Sequence, residues 1–143
     1  MNLVSIRLIT DDIQRMVAFY QHLTGTEAAW STPDFAEFVT PAGTLALGTT
    51  RTVALFAPNS AHPADNRTAI IEFLVPDVDA AYTRLHETLT DFVNEPTTMP
   101  WGNRSLLLRD PDGNLINLFT PITAQAVAKF ARVAASSTQR SIQ

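Results

Sequence analysis

The side chains that could carry acid–base or metal chemistry are few and scattered. The chain holds three histidines, His22, His62 and His86, and no cysteine. A thiol nucleophile, a zinc–thiolate centre and a disulfide are therefore excluded. His22 and His86 fall in stretches of helical period and His62 in a proline-containing stretch, so all three read as surface polar residues. Ser, His and Asp are present, but no spacing assembles a triad. There is no Gly-x-Ser-x-Gly elbow, and the five glycines form no phosphate loop. Asp110 and Asp112 lie close together, yet the run Asp110-Pro111-Asp112-Gly113 is explained by turn chemistry. Two charges stand out instead. Arg7 sits inside an apolar run from Leu3 to Ile9, and Glu72 inside another from Ile70 to Val75. A charge in an apolar strand is costly unless it is paired or wet. Three readings stay open: the two neutralise each other, both are solvated, or they are polar anchors in an apolar pocket. Trp101, followed by Gly102, is a candidate lid or stacking surface and equally a candidate core residue. Trp30 and Phe38 are weaker candidates of the same type.

Those residues need elements to hold them. Residues 3–9 partly alternate, with Ser5, Arg7 and Ile9 on one face of a strand and Val4, Ile6 and Leu8 on the other. Thr10, Asp11 and Asp12 are N-cap types. Ile13, Met16, Val17 and Tyr20 then recur at helical spacing, and Gly25 should end the helix. Residues 35–40 and 44–48 read as strands around Pro41-Ala42-Gly43, and Val53 to Phe56 as a fourth strand. Residues 57–67 read as a linker. Ile70 to Val75 is a strand, and Pro76-Asp77 opens a second helix.

The pattern then repeats. Val78, Ala81, Tyr82 and Leu85 each lie 65 positions after Ile13, Met16, Val17 and Tyr20. Pro111-Asp112-Gly113-Asn114-Leu115 echoes Pro41-Ala42-Gly43-Thr44-Leu45 at an offset of 70. A repeat of this length implies two copies of one supersecondary unit. The second copy closes on a hairpin, Leu106-Leu107-Leu108 and Asn114 to Phe119 around Asp110–Gly113. After residue 121 the chain changes character. Ala124, Val127, Ala128, Ala131 and Ala135 mark a small apolar stripe on a helix, packed on its own domain or serving as a subunit contact. The polar end, residues 136–143, should fray.

Composition sets wider limits. With 143 residues, 45% of them hydrophobic and 17% charged, the chain suits one soluble domain with a real core. A net charge of −4 argues weakly against nucleic acid, which rewards a basic face. No apolar run reaches the roughly 20 residues that span a bilayer. The first residues lack the marks of a signal peptide, so a cytoplasmic location is the default expectation.

The tandem repeat, the Asp-Ile-x-x-x-x-x-Phe-Tyr helix from Asp12 to Tyr20 and the Asp-Pro-Asp-Gly-Asn hairpin together resemble the vicinal oxygen chelate superfamily. That superfamily includes glyoxalase I, extradiol dioxygenases, fosfomycin-modifying enzymes and bleomycin resistance proteins. The resemblance covers residues 3–121. It implies an α+β fold of two tandem βαβββ modules whose curled mixed sheets enclose a pocket. Module one would span 1–56, the linker 57–67 and module two 68–121, together one glyoxalase-like domain, with a C-terminal helix and tail over 122–143. Metal-binding members carry ligands on the first strand of each module, seven residues before the helix-opening Asp, and on the last strand, four residues after the turn Gly. Those positions fall here at Ser5, Ile70, Leu47 and Asn117. Leu and Ile cannot ligate, and Ser and Asn are poor neutral ligands. The expected protein is thus a homodimeric, bleomycin-resistance-like binder of a small, partly apolar molecule, with no metal or other cofactor and no nucleic-acid or membrane partner. Its ligand-binding residues would be Ser5, Arg7, Leu47, Ile70, Glu72, Trp101, Asn117 and Phe119, with no catalytic residue identified. The alternative is a divalent-metal-dependent lyase or dioxygenase of the same superfamily.

Overall fold

The structure, a computed structural model, describes residues 1–55 and 57–138. The fold is α+β, two tandem βαβββ modules followed by a helix. Module one runs β1 (Ser5–Thr10), α1 (Ile13–Thr24), β2 (Ala29–Thr32), β3 (Phe35–Val39) and β4 (Thr44–Thr49). Its sheet has the order β1-β4-β3-β2, with β1 parallel to β4 and the other pairs antiparallel. Module two repeats this with β5 (Ile70–Leu74), α3 (Val78–Leu85), β6 (Thr97–Thr98), β7 (Asn103–Arg109) and β8 (Leu115–Pro121), in the order β5-β8-β7-β6. A short helix, α2 (Thr50–Ala54), follows the first sheet, and α4 (Ala124–Thr138) follows the second.

The repeat is visible in its caps. The Asp12 carboxylate accepts from the Arg15 N–H at 3.1 Å, and the Asp77 carboxylate from the Ala80 N–H at 3.0 Å. Each satisfies a backbone donor that the first helical turn leaves open. Gly25, at φ 68°, ends α1 with its N–H donating to the Gln21 carbonyl.

Each sheet buries one face under its own helix. In module one, Met16, Tyr20 and Leu23 of α1 and Ala36, Phe38, Leu45 and Leu47 of the sheet are all buried, and the Tyr20 and Phe38 ring centroids lie 5.9 Å apart. In module two, Val78 and Leu85 of α3 are buried with Ile71, Leu106, Leu108, Ile116 and Leu118. The closing hairpin is clamped from within. Asp110 accepts from the Asn114 N–H at 2.9 Å and from Asn114 Nδ2 at 2.7 Å, and Gly113 takes φ 81°.

Two expectations need correction. Val53 is not in a strand: Thr50–Ala54 is helical, and Phe56 lies outside the described residues. The Thr52 hydroxyl donates to the Thr49 carbonyl, which favours a turn of helix at the strand's end. The second concerns which residues pack α4 on its own domain, the first of the two readings of its alanine stripe. Its packed face is Ala126, Phe130 and Val133, whereas Ala124, Val127, Ala128, Ala131 and Ala135 are exposed. A large aromatic outweighs a stripe of alanines: the Phe130 ring sits 5.0 Å from that of Phe119 on β8. The last five residues, for which fraying is expected, lie outside the described residues. By contacts the chain divides into two compact units, Met1–Asn66 with Pro111–Gly113, and Arg67–Asp110 with the chain from Asn114 onward. Among the described residues no helix is long and apolar enough to cross a membrane.

Candidate functional site

The face of each sheet turned away from its helix is where the candidate residues gather. In module one, β1 pairs with β4 so that Ser5 meets Thr44, Arg7 meets Ala46 and Ile9 meets Gly48. Ser5 and Arg7 are exposed on this face. The Arg7 guanidinium lies 4.9 Å from the centroid of the Phe35 ring, a cation–π contact with a residue that pairs with Gly48. A Cβ at Gly48 would stand at an ordinary contact distance of 3.7 Å from Arg7 Cδ but only 2.7 Å from Thr52 Oγ1.

Leu47 is not on this face. It pairs with Leu8 and Ala36 and is fully buried with the helix-side core. The position that matches Asn117 across the repeat is Ala46, because Arg7 faces Ala46 as Glu72 faces Asn117.

Module two brings more together. Ile70, Glu72 and Leu74 on β5 pair with Leu115, Asn117 and Phe119 on β8, which pair in turn with Arg109, Leu107 and Ser105 on β7. Ile70 and Glu72 are exposed. Asn117 Nδ2 donates to Glu72 Oε2 at 2.8 Å. The bond consumes the amide's donor end, and Asn117 Oδ1 stays buried with no hydrogen-bond partner. Ser105 Oγ and Asn103 Oδ1, also on β7, are buried and unsatisfied in the same way. Phe119 is buried under Phe130 of α4. Trp101 is 65% exposed in the turn before β7 and belongs to no core.

Sequence reasoning missed Phe35, Ser105 and Asn103. The signal for Ser105 was present: a hairpin centred on Asp110–Asn114 sets Leu107 opposite Asn117 and Ser105 opposite Phe119.

Two arginine–carboxylate pairs stand apart from these faces. Arg51 Nε donates to Asp34 Oδ1 at 2.9 Å, with the Thr49 hydroxyl on the same oxygen. Arg104 grips Asp79 through Nε at 2.7 Å and Nη2 at 2.9 Å. Hydrogen bonding to Arg51, then to Thr49, holds the Asp34 carboxyl below its usual range, and Arg104 does the same to Asp79. Both are surface pairs on the helix side and at a strand end.

The donor set does not fit a divalent metal held as metal-binding superfamily members hold theirs. On module two Ile70 offers hydrocarbon, and Asn117 offers a single neutral amide oxygen, its Nδ2 being bonded to Glu72. On module one Ser5 offers a lone hydroxyl and Ala46 a methyl group. Among the described residues no group of three or more His, Asp or Glu side chains converges.

The fold and these positions can be compared with known proteins. The uncharacterized protein YraH of Bacillus subtilis (strain 168) is 29% identical over 125 residues, 83% of this chain and 98% of that protein. A glyoxalase/bleomycin resistance protein/dioxygenase from Nocardioides has a similar structure, with TM-score 0.71 and 25% identity over 87% of this chain and 85% of that one. A lactoylglutathione lyase from Agrobacterium tumefaciens shares the fold, with TM-score 0.66 and 22% identity over 83% of this chain and 92% of that one. The sequence description of one family matches residues 2–118, which takes in both modules, both capping aspartates and the closing hairpin. The chain therefore belongs to the Glyoxalase/Bleomycin resistance protein/Dioxygenase superfamily.

Proposed function

We propose that this protein binds a small, partly apolar molecule without a catalytic metal, as bleomycin-resistance-like members of the superfamily do. The observation that carries the reading is the module-two face. Where metal-binding members present ligands, this chain presents Ile70, which cannot ligate, and Asn117, a neutral amide whose Nδ2 donates to Glu72. Around them lie Leu74, Leu107 and Leu115, an apolar surface with a few placed polar groups, which is the make-up of a small-molecule site.

The test has two arms. Elemental analysis after dialysis, and calorimetric titration with zinc, nickel, manganese and iron(II), should show no tight stoichiometric site. Nile red, a neutral apolar dye, should bind saturably with blue-shifted emission. A metal retained at one per chain that stimulates lyase or dioxygenase turnover would establish the rival reading instead.

We also propose a homodimer. β1 is an edge strand, and Ile6 within it and Val4 just before it are 45% and 66% exposed. An apolar sheet edge left open invites pairing. Light scattering that gives a monomer mass at tens of micromolar, an order-of-magnitude choice within reach of a stable interface, would refute it.

A further inference from the structure

We infer that the small molecule is cationic, a primary ammonium on an apolar body, and that module two recognises it through Glu72, Asn117 and Ser105. The inference rests on the binding reading above and deepens it. Three buried oxygens without partners share one face of β7 and β8: Asn117 Oδ1, Ser105 Oγ and Asn103 Oδ1. Buried polar groups are nearly always satisfied, so three on one face mark a place for hydrogen-bond donors. All three can accept, and two of them can do nothing else. Ser105 is only 5% exposed, which excludes the reading of a hydroxyl satisfied by bulk water.

Their placement suits one ligand. Asn117 faces Leu107 directly, so Ser105 is its diagonal neighbour on the same face, roughly 7–8 Å away between Cα atoms. Glu72 has two roles. Its carboxylate accepts from Asn117 Nδ2, which fixes the amide so that the carbonyl end is left for the ligand. Its charge also favours a cation beside that carbonyl and opposes an anion. An ammonium has three donors and no acceptor, the complement of this set. Phe119 and Phe130 cover the row that holds Ser105, so α4 closes over the ligand's apolar body.

The experiment compares three probes of one shape: phenethylammonium, 2-phenylethanol and 3-phenylpropanoate. Each is titrated at neutral pH into the full chain, followed by amide and side-chain NH2 shifts in 1H–15N spectra. Phenethylammonium should bind about tenfold more tightly than the alcohol, the scale of one charged hydrogen bond. The propanoate should bind most weakly. The Asn117 NH2 signals should move. Glu72→Gln and Asn117→Leu should bring the ammonium down to the level of the alcohol. Ser105→Ala is nearly isosteric and should weaken the ammonium, on a chain that melts no lower than the parent. If the alcohol binds as well as the ammonium, or the shifts map away from β7 and β8, the cation inference falls while the binding reading stands. If Nile red and all three probes fail to bind, both fall.

Discussion

Arg7 and Glu72 occupy matching strands of the two modules, and each has found a partner inside its own module. The Arg7 guanidinium stacks 4.9 Å from the Phe35 centroid, while Glu72 accepts from Asn117 Nδ2 at 2.8 Å. The sequence allowed them to be a buried pair, in which loss of one partner costs roughly 3–5 kcal/mol. Both residues are exposed, and their partners are local. The first prediction follows. Arg7→Met and Glu72→Gln should each change stability by under about 1 kcal/mol, and the double mutant should be additive within about 0.5 kcal/mol. Denaturant melts measure both. Strong coupling would mean that the two charges meet.

Leu47 provides the second prediction. It is fully buried between Leu8 and Ala36, on the side of the sheet packed by α1. Leu47→Ala should cost about 2–5 kcal/mol in urea unfolding, as core truncations do. The surviving folded fraction should bind Nile red with unchanged affinity. A variant of full stability with weakened dye binding would return Leu47 to the ligand face.

The slip at Leu47 shows where the sequence stops being informative. Helix starts were legible because a cap is local: Asp12 and Asp77 stand at one spacing from the N–H groups they receive. Sheet register is not local. The turn sequences repeat at an offset of 70, but Thr44 pairs with Ser5 and Leu115 with Ile70, an offset of 71. Gly113 takes positive φ and Gly43 does not, so the two turns differ in geometry and feed their strands one residue apart. A one-residue slip exchanges the faces of a strand. The orphaned oxygen of Ser105 was illegible for another reason: whether a strand serine is satisfied depends on everything packed against it.

The arginine–carboxylate pairs give a pH prediction with a definite sign. The Asp34 and Asp79 carboxyls are held below the usual range by Arg51 and Arg104. A depressed folded-state value means the unfolded chain binds the proton first. Their contribution is therefore complete above the ordinary carboxylate range and is lost as pH falls through the depressed values. Asp34→Asn and Asp79→Asn should each flatten the acid side of the stability-versus-pH curve and leave its alkaline side unchanged. Melting temperature against pH reads the effect, and an acid limb as steep as the parent's would contradict it.

The last prediction concerns Gly102, which sequence reasoning grouped with Trp101 as a possible lid. The structure gives the glycine a packing role. Its φ is +96°, a conformation that L side chains rarely adopt. Its carbonyl accepts from the Ile122 N–H at 2.9 Å and the Thr123 N–H at 3.2 Å, which joins the turn before β7 to the start of α4. A Cβ at this position would meet Thr123 Oγ1 at 2.2 Å and Thr123 Cγ2 at 3.0 Å. Thr123 cannot simply turn aside, because its hydroxyl accepts from the Ala126 N–H at 3.2 Å in the first turn of α4. Gly102→Ala therefore faces two separate penalties, the positive φ and the clash. Together they should cost more than about 1 kcal/mol, the scale at which an incompatible Gly→Ala change outweighs its entropic benefit. Thr123→Ala alone loses a helix cap, about 1 kcal/mol. The double mutant should lose less than the two single losses added, since removing the threonine side chain relieves most of the clash. Additive losses in a denaturant-melt cycle would mean that backbone strain alone selects glycine here.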